Sequence, residues 1–138
     1  MSFDRFTEIQ IGSDFHQAKK VEERIVRSAT KCGYNEDTIF ALRLSVEEAL
    51  SNAIRHGNLY DIHKKVEIRY SIRPERIDIY VTDEGRGFDP GGVPDPTAPE
   101  NLENPSGRGI MLMQAYMSQV EFNESGNQIH LVKLNQAC

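Results

Sequence analysis

The stretch Val66-Glu67-Ile68-Arg69-Tyr70-Ser71-Ile72-Arg73-Pro74-Glu75-Arg76-Ile77-Asp78-Ile79-Tyr80-Val81 decides the fold. Val66, Ile68, Tyr70 and Ile72 alternate with charged or polar residues, and Ile77, Ile79 and Val81 do the same. A period of two sends alternate side chains to one face of a strand, so both runs predict strands with a single buried face. Arg73-Pro74-Glu75-Arg76 supplies the turn between them, which makes the pair an antiparallel hairpin. Sheets of this kind cover one side with helices and leave the other more polar.

Toward the N-terminus the period becomes helical. Ile39, Leu42, Val46, Ala49, Leu50 and Ala53 form an apolar stripe, which predicts a helix capped by Asn35 and running to about His56, where Gly57-Asn58 ends it. Ahead of it, Phe15, Ala18, Val21, Ile25 and Ala29 recur at three and four, from a cap at Ser13 or Asp14 to an exit at Gly33. Phe6, Ile9 and Ile11 place an opening strand within residues 5–12. Toward the C-terminus, residues 88–106 hold five of the six prolines, two glycines and no Lys or Arg, the texture of an active-site lid, a binding loop or a disordered segment. Ile110, Met111, Met113, Ala115, Tyr116 and Met117 then predict a short helix. Val120 and Phe122 lead through Ser125-Gly126-Asn127 into Ile129, Leu131, Val132 and Leu134, a closing hairpin. The expected fold class is α+β, a two-layer α/β sandwich with helices on one face of a mostly antiparallel sheet. One domain is expected over residues 1–138.

Bulk properties narrow the function. With 38% hydrophobic and 27% charged residues, the composition is that of a soluble globular protein. A net charge of -5, with basic residues scattered among 21 acids, argues against nucleic acid. Lys19, Lys20, Arg24 and Arg27 read as a solvated helix face. No apolar run approaches the ~20 residues that span a bilayer, and the first residues lack a signal-peptide core. A cytosolic protein with no membrane association is expected. Cys32 and Cys138 lack metal-site spacing and read as free thiols.

Three segments carry chemistry. Four residues advance a helix by about one turn, so Glu48 and Asn52 share a face opposite the apolar stripe, with Ser45, Arg55 and in part His56. Ala41 and Leu44 also point away from that stripe, so this side is expected to be covered. Asn52 offers one carbonyl oxygen to Mg²⁺, a hard ion that keeps several waters and leans on phosphate oxygens. Glu48 can take the proton of a hydroxyl attacking a γ-phosphate, and Arg55 and His56, near the helix end, are candidates to touch phosphates. Asp83 ends the second hairpin strand, where a carboxylate can accept from the exocyclic amine of adenine. Gly85 and Gly87 let the backbone approach a flat ring. Gly107 and Gly109 precede the Ile110 helix, whose free N–H groups would attract anions. Each segment also has an ordinary reading: a solvated helix face, a strand-end turn, a glycine loop. Together, in this order, they point to ATP and its metal, whereas P-loop and Rossmann spacings are absent.

The segments Glu47-Glu48-Ala49-Leu50-Ser51-Asn52-Ala53-Ile54-Arg55-His56-Gly57, Asp83-Glu84-Gly85-Arg86-Gly87-Phe88-Asp89 and Ser106-Gly107-Arg108-Gly109-Ile110 closely resemble the nucleotide boxes of the GHKL (Bergerat-fold) ATPase superfamily. The resemblance covers nearly the whole chain and is nearest to the small anti-sigma-factor serine/threonine kinases of the RsbW and SpoIIAB type. It implies ATP and Mg²⁺ held beneath a mobile lid of about residues 88–106. Glu48 then matches the general base, Asn52 the Mg²⁺ ligand, Asp83 the adenine-binding aspartate, and Gly85, Gly87, Gly107 and Gly109 the pocket glycines. It also implies partners: a sigma factor that is sequestered, and a STAS-type anti-anti-sigma protein that is phosphorylated, often by a homodimeric kinase.

Two features depart from the family pattern. Asn127 stands where a threonine often follows glycine in the last hairpin. The lid carries Asp89, Asp95, Glu100 and Glu103 with no base, which leaves Arg108 as the nearest cation for γ-phosphate charge. The expected function is therefore an ATP-dependent protein serine/threonine kinase that switches partners with nucleotide state. The alternative is a non-catalytic ATP-dependent binding module. A detached histidine-kinase catalytic domain fits less well, because no helical phosphoacceptor region precedes the boxes.

Overall fold

The computed structural model describes residues 6–85 and 105–135. The order is β1 (Thr7–Gly12), α1 (Phe15–Lys31), α2 (Glu36–Asn52), a π-helical turn (Ala53–Gly57), β2 (Lys65–Ile72), β3 (Arg76–Asp83), α3 (Pro105–Tyr116), β4 (Gln119–Phe122) and β5 (Gln128–Leu134). The strands form one sheet in the order β1-β2-β3-β5-β4, with every neighbouring pair antiparallel.

The opening hairpin sets the register. Ile68 faces Val81, Tyr70 faces Ile79 and Ile72 faces Ile77, so the period-two residues meet on one face. The row continues onto β5, where Leu131 faces Ile79 and Ile129 faces Val81. Over this face lies α2, flanked by α1 and α3. Leu42, Val46, Leu50 and Ile54 are fully buried and join Ile68, Ile79 and Leu131 in one core. Each such side chain contributes about 1.5–3 kcal/mol by leaving water. Asp14 accepts from the His16 N–H at 2.9 Å to cap α1, and Asn35 accepts from Thr38 N–H at 2.9 Å to cap α2. The α+β sandwich with an antiparallel sheet is thus as the sequence pattern predicts.

The outer sheet face is polar but not loose. Asp78 is buried there, 2.7 Å from Arg76, 3.2 Å from Arg73 and 2.9 Å from His130. Burial works against its charge, yet hydrogen bonds from Arg76 and His130 outweigh it and hold the carboxyl below its usual range.

Three expectations need correction. Phe15, assigned to the α1 core stripe, is 43% exposed. It sits in the first turn of α1, where its ring meets Tyr60 edge to face and lies beneath Arg55. Secondly, α3 begins at Pro105, so Gly107 and Gly109 lie within the helix instead of before it. Proline fits a first helical turn because its missing N–H would have no partner there, and burial of Ile110 and Met113 outweighs the weak propensity of the glycines. Residues 105–106 therefore belong to the helix and not to the lid. Finally, α2 does not stop in a plain helix end. Its last turn widens into the π segment, where Asn58 N–H reaches Ala53 C=O at 2.8 Å.

Candidate functional site

Three close contacts organise the site, and each uses a glycine where a Cβ would force a neighbour to move. A Cβ on Gly109 of α3 would lie 2.5 Å from Oε2 of Glu48 and 3.3 Å from Nδ2 of Asn52. At the other end of α2, a Cβ on Gly57 would lie 2.2 Å from the Asp83 carboxylate, and one on Gly85 would lie 1.8 Å from the Gly57 carbonyl oxygen. Glu48, Asn52 and Gly57 belong to one continuous helical run. The strand-end segment therefore meets its last turn, and the α3 segment meets its middle.

A network of amides holds Asp83. Its Oδ1 accepts from the Gly85 N–H at 2.8 Å, its N–H donates to Asn127 C=O at 2.9 Å, and its C=O accepts from Asn127 Nδ2 at 3.1 Å. Asn127 thus braces the Asp83 backbone, a role its place in the closing hairpin did not reveal. Asn58 is fully buried: Nδ2 donates to Ser13 Oγ and Lys65 C=O at 3.0 Å each, and Oδ1 accepts from Glu84 N–H at 2.9 Å. Glu84 in turn accepts from the Lys65 N–H. One side chain ties the end of β1, the start of β2 and the exit of β3. Sequence reading took Asn58 only as a helix terminator, because its three partners come from distant segments.

Burial raises the carboxyl at both ends, with different opposing groups. Desolvation first, then the neighbouring Glu47 charge, pushes the Glu48 carboxyl above its usual range, with Arg55 opposing. Asp83 is also raised by desolvation, against the Gly85 N–H bond and the Lys64 charge. Desolvation and the Arg55 charge hold His56 below its usual value. Ser45, one turn before Glu48, is buried, and its hydroxyl has no hydrogen-bond partner among the described residues. Ala41 on that face is also buried and Leu44 is half-buried, so the start of this side is covered as its composition predicts, whereas Arg55 at its end is exposed.

A cavity of about 450 Å³ opens between α1 and α2 on the other side of Glu48, bounded by Phe15, Glu22, Ser51, Asn52 and Arg55. Glu22 is buried and paired with Lys19 at 3.2 Å, a second carboxylate that the α1 pattern did not single out. Among the described residues no group of three or more His, Cys, Asp or Glu could hold a metal by itself. The single amide of Asn52 beside Glu48 suits Mg²⁺, which needs few protein ligands when phosphates supply the rest. Ile110 is buried, and Gly107 and Arg108 lie in the first turn of α3. Gly87 and the four lid acids lie outside the described residues.

Residues 12–133 match the family described as the histidine kinase-like ATPase domain. The chain belongs to that family. It is 31% identical over 112 residues to the serine-protein kinase RsbW of Bacillus subtilis, covering 76% of this chain and 70% of that protein. To the anti-sigma F factor of Oceanobacillus iheyensis it is 31% identical over 103 residues, covering 70% of each chain. It therefore falls in the branch that holds these kinase-like anti-sigma proteins. Among solved structures, that of the RsbU and RsbW domains of a Mycobacterium tuberculosis protein aligns with 95% of this chain at a TM-score of 0.64 and 14% identity. The aligned part is 33% of that larger chain, and the likeness is one of fold. No helix among the described residues is long and apolar enough to cross a membrane.

Proposed function

We propose that the chain is an ATP-dependent protein serine/threonine kinase of the anti-sigma type, one domain over residues 1–138. The observation that carries this reading is the pair of glycine contacts along a single helix, Gly109 on Glu48 and Gly57 on Asp83. In this reading adenine lies at the Asp83 end, where the carboxylate accepts from its exocyclic amine and Gly85 and Gly87 admit the ring. The phosphates run along α2 toward Asn52, Arg55 and His56, under the first turns of α3 with Gly107, Arg108, Gly109 and Ile110. Mg²⁺ would be held by Asn52 and would neutralise charge on the phosphate oxygens.

Glu48 is then the general base. Its raised pKa makes the carboxylate a better proton acceptor, and the cavity beyond it gives a hydroxyl-bearing segment a route to it. The hydroxyl oxygen bonds to the γ-phosphorus while the bridging bond to the β-phosphate breaks and ADP leaves; Glu48 receives the hydroxyl proton. The names of the similar proteins, a serine-protein kinase and an anti-sigma F factor, support a protein serine as the phosphate acceptor and a sigma factor as the sequestered partner; the acceptor in this reading is a STAS-type anti-anti-sigma protein. Nucleotide state would choose between them.

Transfer of labelled phosphate from ATP to such a STAS-type protein tests the reading. Wild type is expected to transfer, while Glu48→Gln loses transfer at least a hundredfold and keeps ATP affinity within threefold. Asp83→Asn is expected to weaken ATP at least tenfold in calorimetry without lowering the melting temperature. ATP and partner binding by wild type with no transfer would leave a binding module and remove the kinase. Unchanged affinity in Asp83→Asn would remove Asp83 from the adenine site.

A further inference from the structure

We infer that Ser45 is a positioning residue for Glu48, its hydroxyl donating to the Glu48 carboxylate once nucleotide is bound; the inference rests on Glu48 as the base of the proposed kinase. Ser45 is fully buried on α2, and its hydroxyl has no hydrogen-bond partner among the described residues. Such a group is costly and uncommon, because a donor taken out of water gives up bonds that nothing replaces. The carboxylate one turn on has the complementary lack. Burial and the charges of Glu47 and Arg55 act on Glu48, and no described residue donates a hydrogen bond to it. An unused donor and an unused acceptor therefore stand one turn apart on the same helix.

Helical geometry leaves Ser45 few groups to reach. Residues three apart are neighbours on a helix surface, with Cβ atoms about 5–6 Å apart. Helical side chains lean toward the N-terminus, so Glu48 extends over the turn that holds Ser45. The usual outlet for a helical serine is the carbonyl four residues back, here Ala41, and that bond is not made. Asn52 is seven residues on, about 10 Å along the axis. On the other side α3 closes the space. Gly109 meets Glu48 and Asn52 while Tyr116 meets Phe40, so α3 runs antiparallel to α2 and its buried Met113 comes level with Ser45. Ser45 is not among the described residues that bound the cavity beside Glu48, so a segment entering there meets the carboxylate and not the hydroxyl. Ser45 acts through Glu48.

Two carboxylate oxygens give the contact its use. Oε2 of Glu48 packs against Gly109, where a Cβ would come within 2.5 Å of it. A bond from Ser45 to the other oxygen fixes the plane of the carboxylate, while each oxygen keeps a lone pair for the proton of the attacking hydroxyl. The pair is open in this structure. Hydrogen bonds of catalytic groups are commonly long or misaligned without ligand and tighten when it is in place. Because the bond favours the charged form of Glu48, it opposes the desolvation that raises the carboxyl.

The test reads the Glu48 carboxyl directly, by carboxyl-carbon NMR titration of the full chain with Mg²⁺ and a non-hydrolysable ATP analogue, Glu48→Gln assigning the signal. In Ser45→Ala the proton affinity of Glu48 is expected to rise about threefold or more, and in Ser45→Thr, which keeps the hydroxyl, to stay within about twofold of wild type. The melting temperature of nucleotide-free Ser45→Ala should hold, since the hydroxyl there has no bond to lose. In phosphate transfer, Ser45→Ala should lower kcat about fivefold, leave KM for ATP unchanged and move the acid limb of the kcat profile to higher pH. Identical Glu48 titration in nucleotide-bound wild type and Ser45→Ala would overturn the proposal. So would a fall in melting temperature with unchanged titration, since Ser45 would then be a packing residue. Wild type that shows the Ser45-dependent titration and never transfers phosphate would remove the kinase and keep the contact; a chain that does not bind the analogue would overturn both.

Discussion

The contact of Gly85 with Gly57 and that of Gly109 with Glu48 are both too close for a Cβ, but they differ in what stands opposite. At Gly85 the obstacle is a backbone carbonyl, 1.8 Å from where the Cβ would be, on a turn fixed by Asn58 and Asp83. At Gly109 it is the far end of a glutamate side chain, 2.5 Å away. Backbone cannot yield without moving the strand and the π turn together. A carboxylate can rotate away. The Asp83 end is therefore rigid, while the Glu48 end can yield by side-chain rotation.

The most forceful way to break this contrast is Gly85→Ala. The new methyl must separate β3 from the π turn, and Asp83 loses its alignment with it. The expected result is a loss of about 3 kcal/mol or more of stability, seen as a drop of roughly 10 °C in melting temperature, and no measurable ATP affinity in calorimetry. A variant that melts with wild type and binds ATP normally would show that the turn is as pliable as the Glu48 side chain.

Gly109→Ala probes the other end and should separate activity from stability. Alanine is favoured over glycine inside a helix by up to about 1 kcal/mol, so the melting temperature should hold or rise slightly. The methyl displaces Glu48, however, and phosphate transfer to the STAS-type partner should fall at least tenfold while ATP affinity changes less than threefold. Parallel losses in transfer and melting temperature would mean that the α2 and α3 contact is structural.

How much of this was legible in the sequence follows the range of the interactions involved. The β2–β3 hairpin was readable down to its turn because a period of two is a local signal, and register follows once one face must be buried. The stripe of α2 was readable for the same reason. The start of α3 was not, since Pro105-Ser106-Gly107 has loop chemistry locally and becomes helical through the packing of Ile110 and Met113. Nor was Asn58, whose burial is made tolerable only by partners on three separate segments. Within the site, Glu48 and Asn52 were found by helical spacing, whereas Gly57 read as a helix end. Its closeness to Asp83 exists only once the sheet has formed.

The smallest effect expected concerns the charge of Glu48 itself. Desolvation and Glu47 raise its pKa in the folded state above the unfolded value, so folding favours the protonated carboxyl. That contribution is fully present below the unfolded pKa and is lost as pH rises through the folded one. At neutral pH the ionised side chain is a liability that Glu48→Gln removes while nearly keeping its shape. The variant should melt about 1–3 °C above wild type at pH 7, a modest gain because the group is only half-buried and its charge is partly screened. The difference should vanish at a pH below the unfolded carboxylate range, where both forms are neutral. A Tm gap that does not change with pH would assign the gain to packing, and a lower melting point at pH 7 would mean that the carboxylate is stabilised by the fold; either result would remove the electrostatic strain assigned to Glu48.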